Sequence, residues 1–170
     1  MYIGARKFTK MNASQAYQTA WKANKRLPKL EVFILENAKA SYDYAVYIIK
    51  DRWVEAEPII AKDGESASLY ARNVIKGRWA EGEPIILRSS KWSYNYAYNV
   101  IKDRWEEAEQ IIATNAYFAY LYAKDVIKWR IKGNKDFYIS VIPKLWFIFP
   151  KRVKNSPDIR TAYFKEMVTQ

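Results

Sequence analysis

Residues 66–91 read SASLYARNVIKGRWAEGEPIILRSSK, and the phrases of this unit recur every 26 residues along the chain. A Tyr-Ala pair comes first, VIKGRW follows, and an acidic phrase, EGEPII, comes last. The Tyr-Ala pairs begin at Tyr44, Tyr70, Tyr96 and Tyr122. A fixed period of this size is typical of stacked-repeat proteins. It predicts a binding surface rather than a pocket that carries out chemistry.

Each unit predicts two helices. In residues 66–91 the apolar positions recur at steps of three and four, which indicates a first helix with one apolar face. Asp63 or Ser66 can cap its start, and Gly77 is placed to end it. Because Pro84 would remove a hydrogen bond from a helix interior, a second, shorter helix should begin close to it.

Two such helices cannot bury their apolar faces alone, so neighbouring units should stack. We therefore predict an all-α, solenoid-like array of 26-residue helix-turn-helix repeats with a cap at each end. Residues 1–40 are a basic N-terminal cap with a degenerate repeat, residues 41–133 hold three full repeats and one partial repeat, and residues 134–170 are a basic C-terminal cap. The residues expected in the core between units are Ala45, Ala71, Ala97, Ala123, Trp53, Trp79 and Trp105.

Composition argues against catalysis. The chain has no cysteine and no histidine, which excludes disulfides and removes the commonest general base and metal ligand. No phosphate-binding glycine loop or nucleophile motif is present in the sequence. We expect a protein that is not an enzyme and has no cofactor and no metal. The apolar stretch at residues 137–150 is too short to span a bilayer, and no signal peptide is visible, so we expect a cytoplasmic protein with no membrane partner.

The net charge of +11 is concentrated at the two ends. Residues 1–43 carry +5, residues 44–121 carry −1 and residues 122–170 carry +7. Clustered positive charge attracts polyanions, whereas net charge alone also keeps a protein soluble. Both interpretations stay open.

Basic and acidic side chains recur together in every unit. The basic positions are Lys50, Arg52, Lys76, Arg78, Lys102, Arg104, Lys128 and Arg130, and the acidic ones are Glu55, Glu57, Glu81, Glu83, Glu107 and Glu109. Opposite charges at fixed spacing favour ion pairs within each unit over a row of cations for nucleic acid. The last unit has lost its glutamates, so Lys128, Arg130, Lys132 and Lys135 are candidates for contacts with phosphates or acidic surfaces.

A second candidate surface lies opposite the Tyr-Ala face of the first helix. Its positions differ between units, as in a repeat scaffold that carries a recognition surface, and tyrosine and arginine often anchor interfaces. The candidate partner-binding residues are Tyr42, Arg72, Tyr94, Tyr98, Tyr120 and Lys124. The alternatives are that these positions vary without selection on the surface, or that they pack laterally against neighbouring helices.

The C-terminal region combines aromatic and basic residues at 144–154. Lys151, Arg152 and Lys154 could contact phosphates or acidic surfaces beside Trp146 and Phe147. A hydrophobic cap over the last repeat, with a solvated basic rim, is the alternative.

VIKGRW followed by E-x-E-P-I-I resembles short helical repeats of uncharacterised bacterial and bacteriophage proteins, whose units read VIKGRWPEAEP. The resemblance covers about residues 41–130. The chain departs from it at Val54, Ala80 and Glu106, where the family tends to have proline, and at Gln110. The resemblance implies a helical repeat array and a viral origin.

The sequence therefore favours a non-enzymatic, phage-encoded inhibitor that docks on and blocks a host or defence macromolecule in the host cytoplasm. We expect its partner to be a protein complex. One alternative is a nucleic-acid-binding protein that uses its basic ends. Another is a structural or self-assembling repeat protein, since the sequence leaves the oligomeric state open.

Overall fold

The computed structural model describes residues 11–127, and this part of the chain is helical with no strand. The prediction of an all-α protein is confirmed over that range. The predictions for the C-terminal cap fall outside the described residues. The helices are α1 (Ala13–Ala23), α2 (Pro28–Ile34), α3 (Ala38–Tyr44), α4 (Glu57–Ile60), α5 (Gly64–Tyr70), α6 (Glu83–Ile86), α7 (Ser90–Tyr96), α8 (Glu109–Ile112) and α9 (Ala116–Leu121).

From α3 to α9, helices of six or seven residues alternate with helices of four residues, whereas α2 has seven residues like α3. We call α3, α5, α7 and α9 the A helices, and α2, α4, α6 and α8 the B helices. Each A helix continues into a π-helical turn, at Ala45–Ile49, Ala71–Ile75, Ala97–Ile101 and Tyr122–Val126. Short 3₁₀ turns at Val54–Ala56 and Glu106–Ala108 lead into α4 and α8.

The start of each A helix is fixed by a side-chain cap. The caps are Asn37, Asp63, Ser89 and Asn115, which lie 26 residues apart. Of the two caps that the sequence offered for α5, the structure uses Asp63, whose carboxylate accepts the backbone N–H of Ser66 at 2.8 Å. Pro84 lies in the first turn of α6, where its missing N–H leaves no bond unmade, so that prediction is confirmed.

The A helices end differently from the prediction. Lys50, Lys76 and Lys102 have φ angles of 61°, 60° and 60°, so each lysine terminates its π turn in the left-handed region. Gly77, expected to end the helix, comes one residue later. A Cβ added to it would meet no atom within 4 Å, so glycine is not required there.

Consecutive A helices pack side by side, α3 on α5, α5 on α7 and α7 on α9, and the B helices cover them. The four alanines predicted for the core are buried, and each of the three tryptophans is only 2% exposed. These residues of the repeat signature are confirmed as core.

Candidate macromolecule-binding face

A buried tyrosine joins each A helix to the unit before it. Tyr70 Oη accepts the backbone N–H of Trp53 at 2.9 Å and donates to Glu57 Oε1 at 3.1 Å. Glu57 also accepts two N–H groups of the Arg52 guanidinium. Burial raises the pKa of the Tyr70 hydroxyl to about 12, so it stays protonated and able to donate.

The same network occurs four times at the 26-residue spacing. Its arginine–glutamate–tyrosine sets are Arg26–Glu31–Tyr44, Arg52–Glu57–Tyr70, Arg78–Glu83–Tyr96 and Arg104–Glu109–Tyr122. The guanidiniums of Arg26 and Arg78 hold the pKa of Glu31 and Glu83 below the usual range. The predicted ion pairs within units are thus confirmed for arginine, and the degenerate first unit contains them too.

The lysines of the same phrase behave differently. Lys50, Lys76 and Lys102, which we call the lysine row, are exposed and form no ion pair within residues 11–127. Within residues 11–127, the basic ladder therefore separates into an arginine row paired with glutamate and a lysine row without ion pairs.

Tyr42 and Tyr94 do not lie on an exposed face. They are 5% and 8% exposed, and each hydroxyl is hydrogen-bonded to the π turn that follows the next A helix. Asn73 Nδ2 donates to the Tyr42 hydroxyl at 2.7 Å, and the Tyr94 hydroxyl donates to Asp125 Oδ2 at 3.1 Å. Their expected place on an outer face is wrong, because neighbouring A helices pack over this position.

Arg72, Tyr98 and Lys124 are exposed, as predicted, whereas Tyr120 is half-buried. With Val46 in the first full unit, the three exposed residues form what we call the variable row. The Tyr98 ring stacks on that of Tyr94, with centroids 5.9 Å apart and an angle of 17°, yet Tyr98 remains 48% exposed. The buried tyrosine thus holds the exposed one in place.

The sequence reasoning missed three exposed aromatic residues, Trp21, Tyr47 and Tyr117, of which the first two contact each other. Trp21 is 51% exposed and Tyr47 is 46% exposed, and their rings meet edge to face at 5.3 Å. They are 26 residues apart, and the same register continues through Asn73 and Asn99. Extending the repeat register back into α1 would have found them.

The variable row and the lysine row meet at one open cavity of about 420 Å³. Its lining residues are Tyr98, Asn99, Lys102, Asp125 and Val126, from the ends of the last two A helices and their π turns. The residues around this cavity therefore include an aromatic residue, an amide, a lysine without an ion pair and a carboxylate, that of Asp125.

Two other features, a metal-ligand cluster and a membrane-spanning helix, are absent from residues 11–127. Among residues 11–127, no cluster of three or more potential ligand side chains could hold a metal ion. No helix formed by these residues is long and apolar enough to cross a membrane. The remaining basic candidates lie outside the described residues: Lys128, Arg130, Lys132, Lys135, Lys151, Arg152 and Lys154.

No protein-family model, curated protein or solved structure matches the chain. The resemblance to bacterial and bacteriophage repeats stays a prediction.

Proposed function

We propose that this chain is a non-enzymatic binding protein built as a capped, solenoid-like array of helical repeats. The support is the recurrence of one set of contacts at the repeat spacing. Each tyrosine hydroxyl bonds to the preceding unit across 17 residues, to the backbone N–H of Leu27, Trp53, Trp79 or Trp105. Contacts of this kind between nearest neighbours are what stabilise a repeat array.

The proposed docking surface is the variable row with its aromatic neighbours. The observation that carries the proposal is that Arg72, Tyr98 and Lys124 are exposed and chemically different at equivalent positions of one repeated framework. The framework residues are buried and nearly constant. Tyrosine and arginine are common energetic anchors of interfaces, and a pre-positioned ring loses little entropy on binding.

In concrete form, the protein is a phage-encoded inhibitor that covers a surface of a host or defence protein complex in the cytoplasm. The viral part of this proposal rests on the resemblance of the VIKGRW phrase to phage repeats. The mechanism is occlusion, which needs a rigid surface and no reacting group.

A pull-down of the full chain from bacterial lysate after nuclease treatment tests the proposal. A stoichiometric protein partner should be retained by the wild type and lost by the double variant Arg72→Ala/Tyr98→Ala. Arg88→Ala/Tyr117→Ala is a matched control, because it removes the same two residue types from exposed positions outside the variable row.

Circular dichroism should show both variants folded. Equal loss of the partner from both variants would place the docking surface elsewhere. Absence of any partner after nuclease treatment would contradict the protein-docking function itself.

A further inference from the structure

The lysine row is not accounted for by ion pairing within the array. The arginines of the ladder form the bidentate pairs with glutamate, as Arg52 does with Glu57. The remaining glutamates of the acidic phrase, Glu55, Glu81 and Glu107, also act on arginines. Glu81, for example, contributes to raising the pKa of Arg52 in the preceding unit. Asp51 and Asp103 follow two of the lysines, but each turns its carboxylate to the backbone N–H of the next arginine at 2.7 Å.

Backbone stability does not account for the lysines either. A left-handed residue at a helix end is usually glycine or asparagine, because a Cβ is unfavourable there. Asn24 occupies this position after α1, with a φ of 47°, but lysine occupies it in three units. The helix dipole favours a cation in the last turn, yet a lysine one turn earlier would give the same benefit without the strain.

Exposed aromatic side chains accompany Lys50 and Lys102, whereas the unit of Lys76 holds Arg72 and Asn73 at the corresponding positions. Trp21, Tyr47 and Tyr98 are each about half exposed. Tyr98 and Lys102 line the same cavity, together with Asp125, whose carboxylate accepts from the Tyr94 hydroxyl. Because successive π turns pack against each other, this edge continues from the first full unit to the last described one.

We propose that this edge binds a single strand of nucleic acid, with the lysine row on phosphates and the exposed aromatic rings stacked on bases. Proteins that bind single strands combine a cationic track with stacking aromatics in this way. Packed helices lie about 8–10 Å apart, so one lysine recurs at each such step. A regular row of cations suits a polymer with regular anions, whereas a folded protein surface has no such period.

This inference goes beyond protein docking, and either function can fail without the other. The test is fluorescence anisotropy of the full chain with a labelled oligothymidylate of about 20 nucleotides, a length that covers one or more typical binding sites, over a range of salt concentrations. The variant is Lys50→Gly/Lys76→Gly/Lys102→Gly, which removes three charges while glycine suits the left-handed backbone. The matched control, Lys62→Gln/Arg88→Gln/Lys91→Gln, removes the same charge at exposed positions beside the starts of the A helices.

We expect the glycine variant to lower the slope of log K against log salt by about 2, since each lost phosphate contact on a single strand contributes about 0.7. The control should keep the wild-type slope. Tyr47→Ala/Tyr98→Ala should weaken binding at least about tenfold, as expected for lost base stacking, whereas Tyr117→Ala should not.

Three outcomes would overturn the proposal. The slope of log K against log salt could fall equally in the two triple variants, which would mean that binding depends only on net charge. The wild type could fail to bind the oligonucleotide at low salt. An oligoglutamate peptide could compete as strongly as unlabelled oligothymidylate, which would assign the edge to an acidic protein segment.

Discussion

Replacing Tyr70 with phenylalanine tests whether the tyrosine network holds the units together. The substitution keeps the buried ring and removes one oxygen. That oxygen accepts the Trp53 N–H at 2.9 Å and donates to Glu57 Oε1 at 3.1 Å. Both partners are buried, so water cannot readily replace it.

The magnitude follows from the two lost bonds. A buried N–H without an acceptor costs about 1–3 kcal/mol, and a bond to a charged carboxylate contributes about 1.5–3 kcal/mol. Because Glu57 keeps its two bonds to Arg52, we take the lower part of the second range. The free energy of unfolding should fall by about 3 kcal/mol, and for a chain of this size the Tm should fall by about 6–12 °C.

Urea unfolding followed by far-ultraviolet circular dichroism measures this loss. Tyr98→Phe is the matched control, because it removes a hydroxyl from a tyrosine that is 48% exposed, and it should change stability by less than about 0.5 kcal/mol. If Tyr70→Phe were as mild as the control, the network would not couple the units, and the argument for a rigid array would fail.

Three further predictions concern the same framework. The pKa of Glu83 is lowered by Arg78, so its stabilising effect is complete above the ordinary value of 4.5 and is lost as pH falls through the lowered value. The urea concentration at the unfolding midpoint should therefore decrease as the pH is lowered below about 5, and this decrease should be smaller in Arg78→Gln. An unchanged pH profile would contradict this. Lys76→Gly should raise the unfolding free energy by about 0.5–1 kcal/mol by relieving the left-handed backbone, and a calorimetric decrease in Tm would contradict it. Gly82→Ala places a Cβ against the Trp79 ring. Its cost should stay within about 1 kcal/mol, because the two neighbouring units hold Ala56 and Ala108 at this position. Near-ultraviolet circular dichroism should report the ring shift, and a loss above about 2 kcal/mol would refute this prediction.

Local chemistry made much of the framework predictable. The caps, the proline at the start of α6 and the buried tryptophans follow from residue type and the repeat spacing. The arginine–glutamate pairs follow from opposite charges five residues apart, across the turn that joins an A helix to its B helix. These features each depend on a few neighbouring residues, so the sequence contains their cause.

The outer face was harder to predict because it depends on how neighbouring helices pack. Tyr42 and Val46 are four residues apart, which in a regular α-helix makes them neighbours on one surface. Here α3 ends at Tyr44, and Val46 lies in the π turn that follows. Tyr42 then packs under the next A helix and bonds to Asn73, a contact across 31 residues that no local pattern reveals.

The division of the basic ladder has a similar cause. Lys76 and Arg78 are two residues apart, and their charges alone are equivalent. The left-handed backbone at Lys76 turns the chain, so Arg78 reaches Glu83 while Lys76 stays at the exposed end of the A helix. The backbone conformation at this turn decides which cations form ion pairs with glutamates of the same unit. A charge pattern in a repeat therefore identifies a row of free cations only once that conformation is known. In this chain, that reasoning adds Lys50, Lys76 and Lys102 to the candidates for anion binding that the sequence placed at the C-terminal end.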